Sequence, residues 1–134
     1  MDSPDKIGLT LPYKAEYVSV ARLTSSGIAS RAGFDIETVE DIKVAVSEVC
    51  SRIISTASGF DGHYEIQFEI DKNELVIRFY SDNNKIRCIF DDDKDGLGMS
   101  IIKAFMDNVE FCPDRTGYIL SMSKIIGVVS GNGL

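Results

Sequence analysis

Residues 36 to 57 carry apolar side chains at Val39, Ile42, Val46, Val49, Ile53 and Ala57, with Ala45 and Cys50 flanking them. That spacing draws one continuous stripe along a helix of about six turns. Asp35 stands just before it, and aspartate is a favoured helix N-cap. The opposite face holds Asp41, Glu48, Arg52 and Ser55. A stripe of this length must be taken out of water, so the rest of the chain has to offer a broad apolar surface to receive it.

Alternating segments supply that surface. KIGLTL sets Ile7, Leu9 and Leu11 against polar neighbours, and Pro12 closes the run. YEIQFEI alternates Ile66, Phe68 and Ile70, DKNE turns the chain, and LVIRFY returns with Leu75, Ile77 and Phe79, which predicts a hairpin. KIRCIF fits either a short strand or an irregular loop. VEFC and YILSMSKII predict two further strands across a turn at Pro113 to Gly117.

Two more helices are predicted. In AEYVSVARLTSSGIASRAG the stripe is Val20, Leu23 and Gly27, with Tyr17, Ala21 and Ile28 beside it and Gly33 as the C-cap. The last helix runs from about Leu97 to Asp107, with Ile102, Phe105, Met106 and Val109 on its stripe. The tail GVVSGNGL reads as loose. The order strand, two helices, hairpin, helix, hairpin predicts an α/β two-layer sandwich. A mixed, largely antiparallel sheet is covered on one face by helices. With 134 residues, the chain suits one domain spanning 1–134.

Charge and cysteine count narrow the function. A net charge of −7 argues against direct nucleic-acid binding, which needs a basic face. No apolar run reaches the ~18 residues of a membrane span, and MDSPDKIGLTL lacks a signal-peptide pattern, so a cytoplasmic protein is expected. Three cysteines, odd in number and far apart, argue against a disulfide framework and a zinc site. His63 is the only histidine, which leaves little for a histidine triad or a multi-histidine metal site.

In DGLGMSIIKAFMDNV, Gly96 and Gly98 open the last helix. Glycines at a helix N-terminus allow close approach of an anion, most often a phosphate. They also allow close approach of helix and sheet.

Three blocks, ARLTSSGIASRAG, EDIKVAVSEVCSRII and GLGMSIIKAFMDNVEF, together resemble the bacterial anti-sigma factor serine-protein kinases. These are small members of the GHKL, or histidine-kinase-like ATPase, superfamily, and the resemblance runs in register from about Ile7 to Lys124. It implies the two-layer sandwich reached above, binding of a sigma factor, and phosphorylation of a serine on an antagonist protein with ATP and Mg²⁺. It places Glu48 on the family's catalytic general base and Arg22 on its partner-facing first helix. Relatives are homodimers joined through their sheet regions, so a homodimer is implied here too.

The chain departs from that pattern in three places. Arg52 stands where the family's Mg²⁺-holding asparagine belongs, and Thr56 replaces its usual histidine. A guanidinium has only donors and repels the ion, so Arg52 is no metal ligand. Arg52 reads either as the i+4 ion-pair partner of Glu48 or as a built-in cation in the vacant metal position. Asp82 is the candidate for the aspartate that reads adenine, yet Asn83 and Asn84 follow where a glycine is expected, and an ordinary Asx-turn explains Asp82 equally well. The lid segment before Gly96 and Gly98 is short and ends in Asp91, Asp92, Asp93 and Asp95.

The expectation is therefore a degenerate anti-sigma-type regulator that binds a sigma factor, its antagonist or both, with ATP or ADP and Mg²⁺ bound weakly or not at all. Two alternatives stay open: an active serine-protein kinase with Glu48 as base, and an adaptor pairing with an intact GHKL paralogue.

Overall fold

The computed structural model describes residues 3–83, 85–90, 96–111 and 117–127. Strand β1 (Asp5–Pro12) leads through a single 3-10 turn at Ala15–Tyr17 into helices α1 (Val18–Ala32) and α2 (Ile36–Thr56). The hairpin β2 (His63–Ile70) and β3 (Glu74–Ser81) follows, then α3 (Leu97–Phe105), β4 (Asn108–Phe111) and β5 (Leu120–Ile125). The five strands form one sheet in the order β1-β2-β3-β5-β4, and each pairing is antiparallel.

The α2 stripe is buried as its spacing predicts, with Val39, Ile42, Val46, Val49 and Ile53 in the core beside Ala45 and Cys50. The Asp35 carboxylate accepts from the Thr38 N–H at 2.8 Å, which lowers its pKa and fixes where α2 begins. Opposite α2, the sheet turns Ile66, Phe68, Leu75, Ile77, Phe79, Leu120 and Met122 inward, all essentially inaccessible. Period-two alternation puts every one of these on a single face, and the helices cover it.

Helix α1 differs from the predicted stripe. Ala21, Ser25, Ile28 and Ala29 are buried, whereas Tyr17, Val20 and Leu23 are exposed, Leu23 by 72%. Small residues let α1 lie close along α2, and the Ser25 hydroxyl is satisfied by the Ala21 carbonyl at 2.7 Å. Gly33 is the left-handed C-cap, as expected.

KIRCIF has no regular element, yet Ile86, Ile89 and Phe90 are buried. Helix α3 stops at Phe105, short of the predicted Asp107, and Val109 belongs to β4, opposite Met122. The Asp107 carboxylate accepts the Ile125 N–H at 2.6 Å, tying the chain to β5 where α3 has ended. Cys50 is free and buried, and burial pushes its thiol up to about 12. Cys88 is disulfide-bonded, which corrects the expectation drawn from the odd cysteine count. An odd count argues against a full framework and still leaves room for one bridge. The turn residues 113–116, the acidic run 91–95 and the tail from 128 lie outside the described residues.

Candidate functional site

Glu48 and Arg52 lie one turn apart on the half-buried flank of α2, and α3 packs against that helix. The first turn of α3 begins at Gly96, which is left-handed (φ 68°) and has no side-chain cap. Gly98, in the same first turn, is buried. A methyl group added to Gly98 would lie 2.8 Å from Phe90 Cε1 and 3.4 Å from both Arg52 Nη2 and Glu48 Oε2. The structure thus brings three sequence-predicted residues, Glu48, Arg52 and Gly98, into one cluster.

Phe90 completes the cluster, and sequence reasoning missed it. The Arg52 guanidinium lies over its ring, 4.9 Å from the centroid. Phe111 packs edge-to-face on the same ring, with centroids 5.5 Å apart and planes at 87°. Phe90 stands in a segment without period, so only its apolar character hinted at burial, and nothing in the sequence pointed it at Gly98.

Asp82 sits in a second cluster at the end of β3. Its Oδ1 accepts from the Tyr13 hydroxyl at 2.8 Å, and its Oδ2 accepts from the His63 N–H at 2.8 Å. The His63 amide, followed by the Tyr13 hydroxyl, holds the Asp82 carboxyl below the usual carboxylate range. Tyr13 is fixed by a 2.6 Å hydrogen bond with Ser81 and by stacking on Tyr64. Gly62 makes room for this carboxylate: at φ +126°, an added methyl group there would meet Asp82 Oδ2 at 2.6 Å. Both side-chain contacts of Asp82 are long-range in sequence, with His63 and Tyr13, in place of the local Asx-turn that the sequence also allowed. Arg22 is exposed on α1.

Residues 11–124 match the family model of the histidine kinase-like ATPase domain. The chain belongs to the histidine kinase-like ATPase family. Among curated proteins it is similar to the serine-protein kinase RsbW of Listeria monocytogenes, 38% identical over 91% of this chain and 88% of the relative. The RsbW of Halalkalibacterium halodurans is 33% identical over 92% of this chain and 85% of the relative. That of Bacillus thuringiensis is 34% identical over 94% and 88%. The family is one of ATP-binding domains, which makes ATP and Mg²⁺ the natural ligands to test against these two clusters. No helix among the described residues is long and apolar enough to cross a membrane.

Proposed function

We propose that this chain is an anti-sigma-type regulator that works by holding protein partners, a sigma factor, its antagonist or both, with nucleotide binding and phosphoryl transfer impaired. Family membership supports the regulatory class. The observation that carries the impairment is the packing at Gly98: a phenylalanine ring lies against the glycine where a phosphate would have to approach.

The residues present are a poor fit for a magnesium nucleotide. Mg²⁺ requires oxygen ligands in near-octahedral array, and Arg52 offers five N–H donors and a positive charge. Glu48, on the flank of the same cluster, stands as the candidate general base. Arg22, exposed on α1, is the residue that a partner would meet.

Calorimetric titration with ATP and ADP, with and without Mg²⁺, tests the reading together with capture of sigma factors by the full chain. Sigma-factor capture unaffected by nucleotide is the expected result. Micromolar Mg²⁺-dependent ATP binding with serine phosphorylation of an antagonist would establish the kinase reading instead, which the names of the relatives favour. The same preparation reports assembly: a homodimer is expected by light scattering across ~10–100 μM, where a micromolar dimer forms, and a monomer throughout would reject it.

A further inference from the structure

The two glycines that open α3 differ in what they need. Gly96 is left-handed, and a methyl group added there would meet nothing within 4 Å. Gly98 takes an ordinary helical backbone, so its lack of a side chain serves space alone. What fills that space is the edge of the Phe90 ring.

The ring is held from three sides. Gly98 receives its edge, Arg52 covers its face, and Phe111 meets it at a right angle. Phe90 is 7% exposed and belongs to the same apolar cluster as Ile102 and Met106. The backbone leading to it is pinned by Ile86 N–H to the Asn83 carbonyl and Ile89 N–H to the Arg87 carbonyl, both at 3.0 Å.

We propose that Phe90 is a resident plug, a side chain of the chain itself seated on Gly98 where the phosphate end of an adenine nucleotide would have to lie. The inference rests on the impaired-nucleotide reading above and names the group responsible. The anion is excluded by volume: the ring takes the space next to the first turn of α3. A nucleotide then binds only to the fraction of molecules whose ring has left, and its apparent affinity falls by that fraction.

The test is calorimetric titration of the full chain with ADP and with ATP, with and without Mg²⁺, in wild type, Phe90→Ala, Phe90→Val and Arg52→Asn. Folding of each variant is checked by circular dichroism and thermal melting. The expected result is a gain of about tenfold or more in ADP affinity for Phe90→Ala, a smaller gain for Phe90→Val, and none for Arg52→Asn alone. Loss of a merely structural ring would not raise affinity. A folded Phe90→Ala or Phe90→Val variant that binds ADP no better than wild type overturns the plug. Should neither variant fold, amide exchange in the wild type decides. Faster exchange at residues 86–90 under millimolar ADP supports displacement of the ring, and unchanged exchange overturns it. Tight Mg²⁺-dependent binding by the wild type would sink the impaired-nucleotide reading itself, whereas weak wild-type binding without gain in the variants sinks only the plug.

Discussion

At the start of α3 an aromatic ring rests on a glycine; at the end of β3 a carboxylate rests on one. Gly98 receives Phe90, and Gly62 receives Asp82, each so closely that a single added carbon would have to displace its neighbour. The two contacts are made of different chemistry. Phe90 is held by dispersion, by Phe111 and by the charge of Arg52. Asp82 is held by two hydrogen bonds from groups far away in sequence. An apolar seat excludes a ligand by volume and keeps doing so at any pH. A hydrogen-bonded carboxylate is held in place by its donors and depends on staying ionised.

The largest effect is expected at Gly62. Its backbone at φ +126° disfavours any side chain, and the methyl group would also push on Asp82. Gly62→Ala is expected to cost about 3 kcal/mol in a urea melt. A cost below about 1 kcal/mol would mean that the Asp82 contact is loose.

Gly98→Ala should cost less, about 2 kcal/mol, because only packing is disturbed there. The sharper measurement is a double-mutant cycle with Phe90→Ala. If the ring is what crowds Gly98, most of the Gly98→Ala cost disappears in the Phe90→Ala background. Additive costs would break the comparison at its apolar end.

Arg52→Gln removes the charge over the Phe90 ring, and a loss of about 0.5–1 kcal/mol is expected. No measurable loss would mean that Phe111 and Gly98 alone seat the ring.

The smallest effect is confined to acid. Because the folded protein holds the Asp82 carboxyl below its ordinary range, the unfolded chain binds the proton more readily. The contribution is complete at neutral pH, begins to fade below about pH 4, and is lost as pH falls through the folded value. Asp82→Asn should therefore flatten the acid limb of a melting-temperature profile, while Phe90→Ala should leave its shape unchanged. A profile unaltered by Asp82→Asn would remove the polar half of the contrast.

Legibility in the sequence followed the same division between periodic and unperiodic segments. The α2 stripe, the Asp35 cap, the β2–β3 hairpin and the one-sided sheet could be read because each repeats a geometric period that burial enforces. The buried face of helix α1 was not legible because Ala21, Ser25 and Ala29 make most of it, and small residues carry little hydrophobic weight. Leu23 and Val20 drew the stripe to the exposed side instead. At the site, Glu48, Arg52 and Gly98 were legible as members of spaced motifs. Phe90 and Tyr13 were not, since each reaches its glycine or carboxylate through tertiary folding, and no local pattern encodes that reach.

Strand β1 carries a further consequence. Among the described strands it pairs only with β2, from Asp5 opposite Ile70 to Pro12 opposite His63, and both long helices lie between the two in sequence. The β2–β3 ladder closes across a short turn, with Asp71 accepting from the Asn73 and Glu74 amides. Forming β1–β2 instead requires the chain to surrender the entropy of a loop containing α1 and α2. The hairpin can therefore nucleate early and serve as a template, while β1 docks after the helices have returned the chain to the sheet. By the same ordering, β1 is the part of the sheet whose amides should exchange first in the folded protein, a sub-global opening that leaves the α2 core closed.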